Sequence, residues 1–166
     1  MNYAQINAYD IANGPGVRVS IFVSGCSFHC DGCHNMEAWD YEYGDEYTSE
    51  TEKKIITLLD DENISGLSIL GGEPLDSKNF ETVDSLIKAV RAKFKDSKDI
   101  WLWTGFTIDT INKIEPLKEV ISNVDYVIEG PFIMELQNWK LKYRGSKNQH
   151  VYDVKQETFV LIDDED

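Results

Sequence analysis

The chain has 166 residues, is 42% hydrophobic and contains 11 glycines but only 4 prolines, a size and mixture that suit one compact domain with a real core. Its 30 acidic and 16 basic residues give a formal net charge of −14, which repels nucleic-acid phosphates and anionic membranes and leaves a well-solvated surface, or a basic protein partner, as the ready explanations. The longest apolar runs, VRVSIFV and GLSIL, fall far short of the roughly 20 residues a membrane span needs, and MNYAQINAYD lacks a basic-then-apolar leader, so the expected address is the cytoplasm.

No self-similarity at a period of about 20 to 50 residues is present, so the chain reads as one domain over 1–166, its motifs lying between about 13 and 152 and a solvated acidic tail, DDED, at 163–166. NGPG (13–16) reads as a turn feeding the first expected strand, 17–23, whose alternation puts Val17, Val19, Ile21 and Val23 on one face and Arg18, Ser20 and Phe22 on the other. Ser49 with Glu52 predicts a capped helix through KKIITLLDD, followed by a short buried strand at 67–70. Phe80, Val83, Leu86, Ile87, Val90 and Phe94 then form one helical stripe, with Asp76 or Ser77 as N-cap. IWLW (100–103) predicts a strand, 107–122 a helical stretch interrupted at Pro116, YVIEG (126–130) another strand, and HVYDV with TFVLI a closing hairpin. This alternation predicts an α/β domain, a single-domain partial (β/α) barrel with a mostly parallel sheet, shorter than the roughly 250 residues of a full barrel. Its chemistry is expected at the C-terminal strand ends, where the cysteine loop, GGEP (71–74), TGF (104–106) and EGPF (129–132) would share one rim.

All three cysteines, Cys26, Cys30 and Cys33, stand in GCSFHCDGCH as CxxxCxxC. They cannot pair off into a disulfide framework, and three soft thiolates so close together suit zinc or an iron–sulfur cluster. Zinc would need His29 or His34 as fourth ligand, each adjacent in the chain to a cysteine. A four-iron cluster would be left with one iron lacking a protein ligand, open to a substrate or cofactor.

CxxxCxxC after the first expected strand and GGEP after the second resemble the radical S-adenosylmethionine enzymes. The further stretches NGPGVRVSIFVSGCSFHCDGCHN, GGEPL, DIWLWTGF, VDYVIEGPF and RGSKNQ resemble, in order and over about residues 2–152, the activases of anaerobic (class III) ribonucleotide reductase. Many members of the superfamily carry an aromatic residue just before the last cysteine; Gly32 here matches the activase subgroup. The resemblance implies that Cys26, Cys30 and Cys33 hold one [4Fe–4S] cluster whose fourth iron binds S-adenosylmethionine. It implies that Gly32, Cys33 and His34 contact the adenine side of that cofactor, and that Gly71, Gly72 and Glu73 hold its methionine end. His34 reads equally as a residue that fixes its loop by a hydrogen bond, and a lone GGEP as ordinary loop-to-helix punctuation. The family often has aspartate where Glu73 and Glu129 stand. Trp101 and Trp103 read first as core, and Arg144 as partner to a carboxylate of cofactor, partner or surface.

The implied reaction is reductive cleavage of S-adenosylmethionine to a 5′-deoxyadenosyl radical that takes hydrogen from a glycine of the large reductase subunit. No side chain is then required as acid or base, a flavodoxin-type or ferredoxin-type reductant is implied, and an incomplete barrel would leave one side open to a protein loop. Two other readings stand beside it: a small-molecule radical enzyme of the deazapurine-synthase kind, and a non-enzymatic iron–sulfur or zinc module.

Overall fold

The computed structural model describes residues 1–162, so the acidic tail expected at 163–166 lies outside the described residues. Eight strands form one open, mixed sheet: β1 (Asn2–Asp10), β2 (Val17–Val23), β3 (Asp45–Glu46), β4 (Ile64–Gly71), β5 (Asp99–Trp103), β6 (Tyr126–Glu129), β7 (His150–Asp153) and β8 (Thr158–Val160), in the order β3-β1-β2-β4-β5-β6-β7-β8. The parallel part is the central run β2, β4, β5 and β6, and antiparallel strands flank it on both sides. β1 has no counterpart among the sequence expectations, because NYAQINAYD carries one β-branched residue and lies mostly half-exposed near the edge.

Helices α1 (Ser49–Leu59), α2 (Phe80–Phe94), α3 (Ile108–Ile111) and α4 (Glu115–Ile121) supply one core with the sheet face of Val19, Ile21, Leu67, Ile69, Ile100 and Leu102. The opposite face is aromatic, with Trp101 packed beside Trp103, Tyr126 and Tyr143. Alternation in β5 sends Ile100 and Leu102 to the helices and both tryptophans away from them. The second face of β2 is buried at Arg18 and Ser20, both fully inaccessible, and half-buried at Phe22. Arg18 ion-pairs with Asp99 at 2.5 Å and donates to Ser68 Oγ, Leu67 O and Pro15 O. NGPG is thus more than a turn: it wraps the arginine, and an ideal Cβ on Gly14 (φ +115°) would stand 2.9 Å from Arg18 Cδ.

Three helix boundaries differ from expectation. The α1 N-cap is Thr48, not Ser49, because Thr48 and Thr51 exchange reciprocal side-chain bonds and leave Glu52 facing Ser85. α2 begins after Asn79, with neither Asp76 nor Ser77 as cap; Asp76 instead closes a preceding turn, its backbone carbonyl accepting from Asn79 N and Phe80 N. Pro116 opens α4 rather than only interrupting a helix, since the first turn has no use for its missing N–H.

Candidate metal centre

The loops after β2, β4, β5 and β6 meet as expected around one cavity of about 200 Å³. Cys26, Cys30 and Cys33 line it together with Gly71, Gly72, Glu73, Thr104, Gly105, Gly130, Phe132 and Gln149. Adjacent parallel strands place their C-terminal ends side by side, so loops far apart in sequence share this rim.

The cysteine loop is rooted by a buried polar lattice. Gly25 N donates to Ala38 O at 2.8 Å, Gly72 N to Val23 O at 2.7 Å and Glu73 N to Gly25 O at 2.8 Å. Asn79, 1% exposed, sends its Nδ2 to Ser24 O, Gly25 O and Glu73 O, clasping the cysteine loop to the GGEP loop. The Tyr41 ring packs on Gly25, with Lys78 Nζ 4.3 Å from the ring centre, while Asp76 takes hydrogen bonds from Ser27 and Tyr41. That partnership and burial push the Tyr41 hydroxyl up to about 12, burial being the larger cause. Asn79, Asp76 and Tyr41 were not singled out from sequence, where an asparagine or aspartate before a helix reads as a cap.

Each sulfur faces backbone donors. Cys26 receives the N–H groups of Phe28 and His29, Cys30 that of Phe132, and Cys33 that of Asn35 at 3.4 Å. Burial nevertheless holds the Cys26 and Cys30 thiols above their ordinary range. Backbone N–H groups aimed at sulfur suit a thiolate that bonds metal, and a metal supplies the positive charge that burial withholds. Among the described residues no three His, Cys, Asp or Glu side chains converge as a ligand set for one ion. The thiols ring a cavity instead, and a cluster of several irons spreads its ligands more widely than a single ion does. The donor set therefore fits an iron–sulfur cluster with an open side toward the cavity.

Glu73 is 1% exposed, and its oxygens accept from Leu75 N (2.9 Å), Thr104 Oγ1 (2.8 Å) and Gly105 N (2.7 Å). Burial pushes its carboxyl up to about 7, against the pull of those three donors. It thus binds the GGEP loop to the TGF loop while lining the cavity. Gly71 and Gly72 do more than clear a path for a ligand: a Cβ on Gly71 (φ +115°) would stand 2.6 Å from Val23 N, and one on Gly72 would overlap Gly25 O. Of the adenine-side residues, Cys33 lines the cavity, whereas Gly32 and His34 turn toward residues 132–139. Gly32 has φ +71° with Met134 Sδ 2.7 Å from an ideal Cβ, and the His34 ring lies 3.1 Å from Gln137 Nε2 and beside Phe132 and Trp139.

RGSKNQ fastens the EGPF loop. Gln149 Oε1 accepts from Gly145 N and Ser146 N, Gln149 Nε2 donates to Gly130 O, and Asn148 Nδ2 donates to Pro131 O. Arg144 donates to Lys142 O and Gln149 O. Glu129 accepts from Ile108 N at the start of α3 and pairs with His150. The tryptophans divide: Trp101 is core, and Trp103 lines the cavity with its Nε1 on Tyr143 O.

The comparisons with known proteins agree with this donor set. Residues 12–152 match the model of the 4Fe-4S single cluster domain family. The chain is 40% identical over 154 residues to the anaerobic ribonucleoside-triphosphate reductase-activating protein of Vibrio cholerae, covering 92% of this chain and 97% of that protein. It is 38% identical over 157 residues to the protein of that name from Escherichia coli K12, covering 93% and 100%, and 41% identical over 152 residues to that of Enterobacteria phage T4, covering 92% and 94%. A cavity ringed by three cysteines with no fourth, and likeness along nearly the whole of these chains, place the protein in the 4Fe-4S single cluster domain family, among the relatives of the anaerobic ribonucleoside-triphosphate reductase-activating proteins.

Proposed function

We propose that the protein is a radical S-adenosylmethionine enzyme that activates the large subunit of an anaerobic ribonucleoside-triphosphate reductase by generating a glycyl radical on it. The observation that carries this reading is the incomplete ligand set: three cysteines at the strand ends, no fourth in the chain, and a cavity on their open side. A [4Fe–4S] cluster held by Cys26, Cys30 and Cys33 would supply the one-electron reductive cleavage of S-adenosylmethionine, the chemistry that hydrogen abstraction from the reductase glycine requires.

The chain's own residues bind, orient and exclude water. Cys26, Cys30 and Cys33 would hold the cluster, and the cavity beside them would receive S-adenosylmethionine on its open side. Gly71, Gly72 and Glu73 form the wall at its methionine end; Glu73 keeps that wall rigid through Thr104 and Gly105 and retains acceptor capacity toward an ammonium group. Cys33 lines the adenine side, and the neighbouring Gly32 and His34 support it from behind, packed against Met134 and the loop that Gln137 joins. No side chain serves as acid or base. We read the open sheet as the partial barrel expected from the sequence, the reductant as a flavodoxin or ferredoxin, and the compartment as the cytoplasm; among the described residues no helix is long and apolar enough to cross a membrane.

Anaerobic reconstitution with iron and sulfide tests the reading. The reduced protein should show a cluster signal that S-adenosylmethionine alters, release methionine and 5′-deoxyadenosine, and raise a glycyl doublet on the reductase. Replacing any one of the three cysteines with serine should abolish all three. An unaltered signal with no cleavage products sinks the enzyme reading, and cleavage without a doublet sinks the choice of substrate.

A further inference from the structure

Residues 131–149 leave the end of β6 and return to β7 as a loop folded back on itself. Gln137 bridges Ser146, Lys147 N donates to Leu136 O at 2.9 Å, and Asn138 N donates to Gly145 O at 3.2 Å. The inner end of the loop belongs to the site: Pro131 and Phe132 line the cavity and Met134 lies over Gly32. Its outer side is apolar, with Ile133, Met134, Leu136 and Trp139 exposed by 37, 50, 39 and 80%. Single exposed apolar residues are normal on any surface, but a group this dense beside a cavity marks an interaction site.

The charge of the loop is as unusual as its apolarity. It carries Lys140 and Lys147, beside Lys142 and Arg144, which have partners of their own, against one acid, Glu135, in a chain whose net charge is −14. Lys140 follows the exposed tryptophan directly, Lys147 is tied by its backbone to Leu136, and both are exposed. One basic, apolar loop on an acidic molecule, continuous with the cavity wall, suits an acidic visitor that must reach that cavity.

We infer that residues 133–147 form the docking surface for the reductase, which meets them with an acidic patch around an apolar recess that takes Trp139. The inference rests on the activation reading, which requires a foreign glycine to enter beside Phe132. Exposed tryptophan is the kind of residue that anchors interfaces, and opposite charges around it speed encounter and fix orientation. A second copy of this chain is the poorer occupant: the common two-fold dimer would set this basic loop against itself.

The test uses the reconstituted enzyme and its purified reductase without oxygen. A Lys140→Glu/Lys147→Glu double variant and Leu136→Asn should keep iron content, the cluster signal with its response to S-adenosylmethionine, and cleavage by a chemical reductant. Affinity for the reductase should fall about tenfold or more in each, and the double variant should lose most of the salt dependence of binding. Trp139→Ala, which also removes a ring from beside His34, is read by affinity alone and should weaken binding at least as much. Unchanged affinity in these variants overturns the surface, as does a loss of self-association by sedimentation with reductase binding intact. A wild type that binds the reductase through this loop yet raises no glycyl doublet overturns the activation reading and leaves the surface standing.

Discussion

At the scale of single residues, Glu73 carries the sharpest electrostatic consequence. Burial raises its carboxyl to about 7 although Gly105 N, Leu75 N and Thr104 Oγ1 all favour the charged form. An unfolded glutamate titrates near about 4.3, so between that pH and about 7 the folded chain binds more protons than the unfolded one, and stability must decline as pH rises through this window. Asp10, Asp76 and Asp125 act in the opposite sense: burial raises each, but their hydrogen bonds prevail, so they contribute stability above the ordinary aspartate range that is lost as pH falls. The two windows do not overlap. Urea unfolding of the wild type and of Glu73→Gln at a series of pH values should therefore give a difference that falls by up to about 3 kcal/mol between pH 4.5 and 7 and is flat above about 8. A difference flat throughout would mean that the carboxylate stays ionised even when buried. Asn79 is the residue whose role is least visible in the chain: its three carbonyl partners belong to loops 6 to 55 positions away, and no local pattern encodes them.

At the scale of elements, the parallel strands deliver the site from one end of the sheet, and Arg18 secures the other end. Its guanidinium is shared by the NGPG loop, β4 and β5, with its charge offset by Asp99. Arg18 is wholly buried while Asp99 is about one-third exposed, so Arg18→Met, which strips Ser68 Oγ and Leu67 O of their donor, should cost roughly 1–3 kcal/mol in thermal or urea unfolding. It should leave the cluster signal of the folded fraction unchanged, because Arg18 lies outside the cavity wall. A cost below about 1 kcal/mol would show that water replaces the lost bonds. The cysteine loop obeys a related rule with a different outcome. Gly32 sits at φ +71° under Met134, so Gly32→Ala brings backbone strain of about 1 kcal/mol together with a steric conflict. Iron retained after anaerobic gel filtration should drop in that variant, with little change in far-ultraviolet circular dichroism.

At the scale of the whole molecule, a net charge of −14 sets a background of self-repulsion. Most side-chain ion pairs that could offset it are exposed, as between Lys53 and Glu50 or Lys93 and Asp60, and such pairs contribute little. Screening should consequently relieve more repulsion than attraction. Raising ionic strength from about 0.01 to 0.5 M should lift the melting temperature by a few degrees, a change of about 1 kcal/mol. A fall would show that the partly buried pairs, Arg18 with Asp99 and Arg91 with Asp125, dominate the response.

The sequence by itself determined the chemistry-bearing parts: a ligand set of three thiols, strand–loop alternation that brings four motifs to one rim, and helical stripes that place the core. These are local properties, since periodicity and spacing act over a few residues and survive any arrangement of the rest. Tertiary structure alone decided how the loops are held. Gly71 and Gly72 read as openings for a ligand but serve equally as contact points with Val23 and Gly25, and RGSKNQ proved to be the knot that binds the EGPF loop. It also decided the strand at residues 2–10, whose pairing with β2 compensates for weak intrinsic preference, and the α1 cap, fixed by two threonine hydroxyls. Apart from the α1 cap, where the local Thr48–Thr51 pair competes with the neighbouring Ser49–Glu52 pattern, the deciding partner is distant in sequence or is a backbone group any residue could offer, so only the packed sheet selects it.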